Sequence, residues 1–230
     1  MRAQCFWFSR CRRLDKGTYL DADSIVFANA RACERVLPRG DIRLKGSHNL
    51  ENVLAAACVA RLLEVPPAAI QAAVATFEGV EHRLEFVAEI GGVAFYNDSK
   101  ATNVDEALKA IEAFPGNLIV ILGGKDKGAD FSPLRAVLAE RARHVLLIGA
   151  ARGKLAAQLR DGLTLEELET LPQAVARAAQ LATAGDTVLL APACASFDQF
   201  ENFEHRGQVF KEEVRKLAAA TSEVKRGQTT

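Results

Sequence analysis

The chain has 230 residues, and its 29 lysines and arginines balance its 29 aspartates and glutamates, so the formal net charge is zero. This balance argues against a nucleic-acid-binding protein, because no overall positive field gathers phosphates. A hydrophobic share of 49% with 25% charged residues is typical of a folded globular protein and excludes a disordered one.

The first 45 residues predict short strands. Three apolar or β-prone runs are separated by charges and by Gly17, and they are Cys5 to Phe8, Thr18 to Leu20 and Ile25 to Ala28. Runs of this length, bounded by polar residues, favour short antiparallel strands. The segment is too small to close a hydrophobic core alone, so we interpret it as part of a larger domain that is cut short.

Two helices are predicted next. Ser47 is the expected N-cap of the first, because apolar residues recur after it at spacings of three and four as far as Leu62. Pro66 and Pro67 separate this helix from the second. The second helix carries an apolar stripe of Ile70, Val74 and Phe77, and Gly79 ends it.

From Arg83 onward, strands alternate with helices. The predicted strands are Leu84 to Ile90, Val93 to Asn97, Leu118 to Leu122, Val145 to Ile148, Thr164 to Leu168 and Val188 to Leu190. The predicted helices are Val104 to Phe114, Pro133 to Arg141, Lys154 to Leu159, Gln173 to Ala182 and Phe203 to Ala219. Gly91-Gly92 joins the first two strands as a hairpin. Repeated strand–helix units predict an α/β fold with a mainly parallel sheet and helices on both faces.

Neither membrane insertion nor a disulfide framework is indicated. The longest apolar runs fall far short of the roughly 20 residues that a spanning helix needs. The five cysteines are scattered, and none forms a pair or cluster with zinc spacing. A reducing cytoplasm is the expected location.

Three loops that follow predicted strands carry most of the polar chemistry, and ligands of open parallel sheets bind beyond the carboxyl ends of the strands. The first loop, Asn97 to Asn103, packs an acid, a cation, two hydroxyls and two amides into seven residues. Helix capping by Thr102 or Asn103 alone is the plainer alternative, although one capping residue would suffice.

The second loop is Gly123 to Gly128, directly after an apolar strand. Its glycines allow a ligand close to the backbone, and its lysines offer charges for a carboxylate or a phosphate. A glycine-rich turn with solvated lysines is an equally good interpretation. The order of residues is wrong for a Walker A loop, and no such loop occurs in the 230 residues.

The third loop, Ala191 to Asp198, has small residues that would let a ligand approach, and Ser196 adds a hydroxyl. Cys194 invites the hypothesis of a nucleophile. A small buried thiol is the favoured interpretation, since no histidine is tied to it in the sequence.

Taken together, these motifs resemble the Mur ligases, and within that family the D-glutamate-adding branch. The similarity covers about residues 42 to 217. It is carried by Gly46, His48-Asn49, Asn52, His82-Arg83, the run Asn97 to Asn103, Leu122 to Gly124, Lys127, Ala129 to Phe131, Pro192 to Ser196, Asp198 to Phe200, Asn202 to Glu204 and Arg206-Gly207.

The resemblance implies a domain organisation. Members of the family have a UDP-binding domain, a central ATPase domain with a P-loop and a Rossmann-like C-terminal domain. Residues 1–80 would be the end of the central domain, 81–220 the Rossmann-like domain and 221–230 a polar tail. The P-loop, the UDP-binding domain and the Mg²⁺ ligands would then belong to a missing part, and no metal ligand is assigned in this chain.

The resemblance also implies an activity. Such enzymes use ATP and Mg²⁺ to phosphorylate the carboxylate of UDP-N-acetylmuramoyl-L-alanine, and the amine of D-glutamate then displaces phosphate, in peptidoglycan precursor synthesis. Positioning and charge neutralisation dominate such chemistry. The full-length protein is expected to be a monomeric cytoplasmic enzyme, and this chain alone is expected to be inactive.

The positions that match the motifs of the family imply the site residues of this chain. The resemblance implies a nucleotide set of Asn52, Arg83 and Asp98, and a D-glutamate set of Thr102, Lys127, Ser196 and Phe203. Lys100 is expected beside the reacting phosphoryl groups, with Arg83 and His82 as further catalytic candidates. The alternatives are a non-catalytic nucleotide- or amino-acid-binding module and a sister ligase with another amino acid. The Asp98 to Asn103 run argues against the sister ligase.

Overall fold

The computed structural model describes residues 3–30 and 32–227, with side chains as far as residue 221. The chain divides into two compact units, Met1–Gly79 and Val80–Thr230. The division falls one residue before the predicted boundary. No helix in the described ranges is long and apolar enough to cross a membrane.

The first unit is a four-stranded sheet with two helices. Its strands are β1 (Trp7–Ser9), β2 (Gly17–Asp21), β3 (Ser24–Asn29) and β4 (Ala32–Pro38), in that spatial order. A short 3-10 helix (Arg39–Asp41) precedes α1 (Ser47–Leu62) and α2 (Pro67–Thr76). The buried core joins strand and helix residues, among them Ile25, Phe27, Leu37, Leu54, Ala57 and Ile70.

Two sequence predictions for this unit are wrong, and one strand was not predicted. β1 pairs with β2 in parallel rather than antiparallel, since an apolar run carries no information about strand direction. β4 was not predicted, because its first four residues are exposed and include the charges Glu34 and Arg35. Ser47 is already helical and is not the N-cap: Gly46, at φ 93°, precedes it, and no side chain caps α1.

The second unit contains a six-stranded sheet in the order β5-β6-β10-β7-β8-β9. Its strands are β5 (Glu85–Ile90), β6 (Val93–Asn97), β7 (Leu118–Gly123), β8 (Ala142–Ile148), β9 (Leu165–Glu167) and β10 (Thr187–Leu190). Its helices are α3 (Val104–Glu112), α4 (Leu134–Arg141), α5 (Arg152–Leu159), α6 (Leu171–Leu181) and α7 (Phe203–Gly227). β5 and β6 form an antiparallel hairpin, and all other pairs are parallel. The predicted α/β class with a mainly parallel sheet is confirmed.

Helices cover both faces of this sheet. Leu118, Val120 and Leu122 of β7 face the core beneath α3, α4 and α5. Ile119 and Ile121, which alternate with them, face the core beneath α6 and α7. All six residues of β7 are buried, as expected for a strand covered on both sides.

Local signals at the ends of elements are mostly as predicted. Gly91 and Gly92, at φ 60° and 80°, make the β5–β6 turn. Asn103 caps α3 by accepting the Glu106 N–H. The predicted end of the last helix at Ala219 is wrong: α7 continues to Gly227, because no proline or glycine lies between these two residues. Residues 228–230 of the predicted polar tail lie outside the described part.

Candidate functional site

The three polar loops emerge from neighbouring strands at one edge of the sheet. β10 lies between β6 and β7, so the loops after Asn97, Gly123 and Leu190 are adjacent. β6 and β7 lead to helices on one face, whereas β10 leads to α7 on the other. Strand ends whose connections diverge in this way form a crevice, which is where ligands of open α/β sheets bind.

A buried polar network fixes the start of the first loop. The Asn97 side-chain oxygen accepts the Ser99 N–H at 3.1 Å, so its amide nitrogen is the donor to His82 Nδ1 at 2.9 Å and to Glu85 at 3.0 Å. Because Nδ1 of His82 accepts, its ring proton lies on Nε2. The His82 carbonyl also accepts the Lys100 N–H at 3.1 Å. His82 therefore helps to hold the backbone of the loop.

Asp98 is a buried carboxyl without a strong counter-charge. Its side chain accepts one N–H, from Leu84 at 3.3 Å, and the residue is 8% exposed. The pKa of Asp98 is raised to about 7, chiefly by burial; the Leu84 N–H and Arg83 oppose the rise, and Glu106 contributes to it. Its own N–H donates to the Leu190 carbonyl at 2.9 Å, so the sheet positions it.

Lys100 and Phe203 meet across the crevice. The Lys100 ammonium lies 4.1 Å from the centroid of the Phe203 ring, which is within cation–π range. The His82 ring also meets Phe203 edge-on, at 6.1 Å between centroids. Thr102 is half-buried, and its N–H donates to Glu106 at 2.8 Å. The structure thus brings together residues that are about 100 positions apart in the sequence.

The second loop packs closely on the third. Gly124 is at φ 136°, and a Cβ added there would overlap the Ala195 carbonyl oxygen. Lys125 and Ala195 pair through their backbones. Asp126 accepts the N–H groups of Gly128 and Ala129. Lys127 is exposed, so its ammonium is available to a ligand.

The third loop is buried at its centre. Cys194 is 1% exposed, and burial raises the pKa of its thiol to about 12. The burial confirms the interpretation of Cys194 as a small buried thiol, and the raised pKa favours its protonated form. Ser196 is 2% exposed, and its carbonyl accepts the N–H groups of Gln199 and Phe200 where the chain turns toward α7.

Two predicted nucleotide residues are exposed. Arg83 follows His82 in the second unit, close enough to lower the pKa of Asp98. Asn52 lies on α1 of the first unit, where its amide donates to Asn49 at 3.4 Å. Both can reach a ligand from the surface of their own unit.

Arg206 is a residue that sequence reasoning missed. Its side chain is fully buried and donates to Ser99 and to the Cys194 carbonyl. An arginine in a charged amphipathic helix is ordinarily exposed, so only the Arg206-Gly207 motif pointed to it.

The chain matches known proteins over most of its length. Residues 82–194 match the family described as Mur ligase, glutamate ligase domain. UDP-N-acetylmuramoylalanine–D-glutamate ligase of Acidobacterium capsulatum is 56% identical over 214 residues, which are 92% of this chain and 46% of that protein. The protein of the same name from Koribacter versatilis is 50% identical over 218 residues, 95% of this chain and 48% of that protein.

The chain belongs to the Mur ligase family. It spans about half the length of the curated relatives it matches. Among solved structures, UDP-N-acetylmuramate–alanine ligase of Thermotoga maritima matches with a TM-score of 0.62 at 14% identity, over 87% of this chain and 46% of that one. At that identity the match supports the Mur ligase fold and nothing finer.

One cluster in this Mur ligase domain has the composition of a metal site. Glu81, His82 and Glu85 could each offer one ligand atom. The Lys211 ammonium lies 2.8 Å from Glu81 and 2.6 Å from Glu85, in the place that a cation would take. These three residues therefore form an ion-pair cluster with Lys211 and do not fit a Mg²⁺ site.

Proposed function

We propose that the chain supplies the D-glutamate pocket and part of the nucleotide site of a ligase that joins D-glutamate to UDP-N-acetylmuramoyl-L-alanine. The observation that carries the proposal is the convergence of the three motif-bearing loops on adjacent strand ends. The names and identities of the two relatives support it. The proposed enzyme converts ATP to ADP, acts in the cytoplasm and serves peptidoglycan precursor synthesis.

The nucleotide is the proposed ligand of Asp98, Arg83 and Asn52. A carboxyl with a pKa of about 7 can accept hydrogen bonds from ribose hydroxyls, and Arg83 can pair with phosphate. Asn52 supplies an amide for adenine. Lys100 neutralises charge beside the phosphoryl group that ATP transfers to the alanine carboxylate. Mg²⁺ bound elsewhere in the proposed full-length enzyme would neutralise the ATP phosphates.

D-glutamate is the proposed ligand of the loops around Phe203. Lys127 and the hydroxyls of Thr102 and Ser196 would hold its carboxylates, and the Phe203 ring would form a wall. The amine of D-glutamate attacks the carbonyl carbon of the acyl phosphate and gives a tetrahedral intermediate. This intermediate loses a proton from nitrogen and expels phosphate, which leaves the amide bond. The Lys100 ammonium lies 4.1 Å from the Phe203 ring centroid, which supports a place for Lys100 beside the proposed amino-acid pocket.

The 230 residues contain no Walker A loop, and we propose that they form no product alone. The test is to incubate the purified chain with UDP-N-acetylmuramoyl-L-alanine, D-glutamate and ATP. Amide product above the level of a boiled control would disprove this part of the proposal.

Ligase function is tested in a chimera in which this chain replaces the matching part of the Acidobacterium capsulatum protein. We expect phosphate release that requires both D-glutamate and the UDP-sugar, and that L-glutamate does not support. Binding of D-glutamate and ATP without turnover would instead favour the alternative of a non-catalytic module.

Lys127 is tested against a matched lysine two residues away. In the chimera, Lys127→Ala should raise the KM for D-glutamate by ~10-fold or more and that for ATP by less than ~3-fold, because a lost charge-assisted contact costs about 1.5–3 kcal/mol. Lys125→Ala, on the same loop and also exposed, should change neither constant. Equal effects of Lys127→Ala on both substrates would remove Lys127 from the amino-acid pocket.

Asp98 is tested by Asp98→Ala in the same chimera. We expect a higher KM for ATP, since the carboxyl is the proposed ribose ligand. Asp105→Ala, at an exposed position in the first turn of α3, is the control. An unchanged dependence on ATP concentration would remove Asp98 from the nucleotide site.

A further inference from the structure

Arg206 hydrogen-bonds to two of the three ligand loops from one buried position and lies next to the third. Its Nε donates to Ser99 Oγ at 3.0 Å and its Nη2 to the Ser99 carbonyl at 2.9 Å, on the loop after β6. Its Nη1 donates to the Cys194 carbonyl at 3.1 Å, on the loop after β10. The same nitrogen lies 3.1 Å from where a Cβ of Gly124 would be, on the loop after β7.

The charge of Arg206 is not paired with a carboxylate. Among the side chains that the structure describes, none places a carboxylate oxygen within 4.0 Å of its guanidinium. Lys211, five residues later on α7, has two such partners. Burial lowers the pKa of Arg206 to about 10, which still leaves it a cation at neutral pH.

Burying a cation without a counter-charge is unfavourable. The guanidinium must therefore supply hydrogen-bond donors that an apolar side chain lacks. Its donors have a fixed planar geometry, and here they satisfy three acceptors on two loops. A leucine or methionine could fill the volume but would leave those acceptors unpaired. A lysine would keep the charge but lose the planar fork.

We propose that Arg206 is the positioning residue that sets the spacing of the three loops for the amino-acid substrate. This inference rests on the proposed D-glutamate site. Arg206 lies one helical turn after Phe203, and the Cys194 carbonyl that it holds is two residues before Ser196. Ser99 directly precedes Lys100, and its hydroxyl also donates to the Phe203 carbonyl at 2.8 Å.

The nucleotide side should depend less on Arg206. Asp98 is held by the Leu190 carbonyl and by the Leu84 N–H, and neither contact involves Arg206. Loss of the guanidinium should therefore disturb the D-glutamate pocket more than the ribose contact.

Hydrogen exchange on the 230-residue chain tests the structural part without any assumption about activity. In Arg206→Lys, amides of residues 99–101, 124–127 and 193–196 should exchange ~10-fold faster or more, while those of β8 stay unchanged. Arg141→Lys is the matched control, because Arg141 also donates to two carbonyls, of Glu112 and Phe114, but at the amino edge of the sheet. Unchanged loops, or loops that accelerate only as much as β8, would overturn the inference.

Ser99→Ala covers the case in which Arg206→Lys does not fold. This variant removes only the hydroxyl that links Arg206 Nε to the Phe203 carbonyl. Faster exchange confined to residues 99–101 and the first turn of α7 supports the inference, and unchanged exchange there overturns it.

Kinetics in the chimera test the functional part. Arg206→Lys should raise the KM for D-glutamate by ~10-fold or more and the KM for ATP by less than ~3-fold. A smaller amount of folded enzyme would lower the maximal rate but would leave both KM values unchanged. Equal changes, or none, would overturn the inference. If the unsubstituted chimera is inactive, the proposed function fails, and the exchange result alone decides the role of Arg206.

Discussion

Two buried aspartates at opposite edges of the same sheet have opposite electrostatic environments. Asp186, 3% exposed at the amino edge just before β10, accepts hydrogen bonds from Thr183 and pairs with Arg143 at 2.6 Å. Burial would raise its pKa, but these partners outweigh burial and lower it. Asp98, 8% exposed at the carboxyl edge, accepts one long hydrogen bond, and its pKa is raised to about 7.

The difference separates a stabilising edge from a binding edge. At the amino edge, Asp186 has its partner within the protein. At the carboxyl edge, Asp98 and Arg206 are both buried, and neither neutralises the other. Buried charged groups without a close counter-charge in the protein are common at ligand sites, where they are kept at some cost in stability.

The largest expected effect is steric. Gly124→Ala would place a Cβ onto the Ala195 carbonyl at φ 136°, so we expect a loss of about 3–5 kcal/mol in unfolding free energy from overlap and strain together. Gly116→Ala, near the amino edge, has φ 153° but open space, and should cost about 1–2 kcal/mol. Urea denaturation of both variants measures their free energies of unfolding. Equal decreases in the two variants would mean that the Gly124 loop is not tightly packed on the loop after β10.

Asp98→Asn should stabilise the protein at high pH. The folded state holds the Asp98 proton between about pH 4 and pH 7 while the unfolded state does not, so its contribution to stability falls as pH rises through that window. Asparagine keeps the acceptor for the Leu84 N–H and carries no charge. We expect a gain of about 2–4 kcal/mol at pH 8 that shrinks toward pH 4.

The measurement is chemical denaturation at pH 4, 6 and 8. A gain that is the same at all three values would show that ionisation of Asp98 is not its source. A loss at pH 8 would reverse the contrast between the two edges.

Asp186→Asn should have the opposite sign and a smaller size. The lowered pKa of Asp186 means that its contribution is present above the ordinary pKa of an aspartate and is lost as pH falls through the lower, folded value. We expect a loss of about 1–3 kcal/mol at pH 7, because the charge-assisted bonds with Arg143 and Thr183 weaken. The same denaturation series checks this, and a variant as stable as the parent at pH 7 would contradict it.

Much of the candidate site was predictable because its residues belong to local motifs at strand ends. The loops after β6, β7 and β10 were identified from apolar runs followed by polar or glycine-rich residues, and Asn103 was identified as a cap candidate. The roles assigned to the site residues stay predictions. The contact of Lys100 with Phe203 could not be predicted from the residues alone, since it depends on how α7 packs over the sheet.

Three of the errors share one physical cause. The direction of β1, the exposed strand β4 and the burial of Arg206 all depend on contacts that no local pattern encodes. Arg206 is 107 residues from Ser99 in the sequence, and as a cation in a charged helix it gives no sign of being buried.

The sequence by itself determined the α/β class, the positions of the three polar loops and the family. Apolar periodicity and strand-end motifs are local, and the carboxyl ends of parallel strands must share one edge. Only the tertiary structure decided that β10 inserts between β6 and β7, that Asp98 is buried without a close counter-charge and that one guanidinium joins the loops after β6 and β10. These features depend on long-range packing, in which the position of each element is set by neighbours far away in the chain.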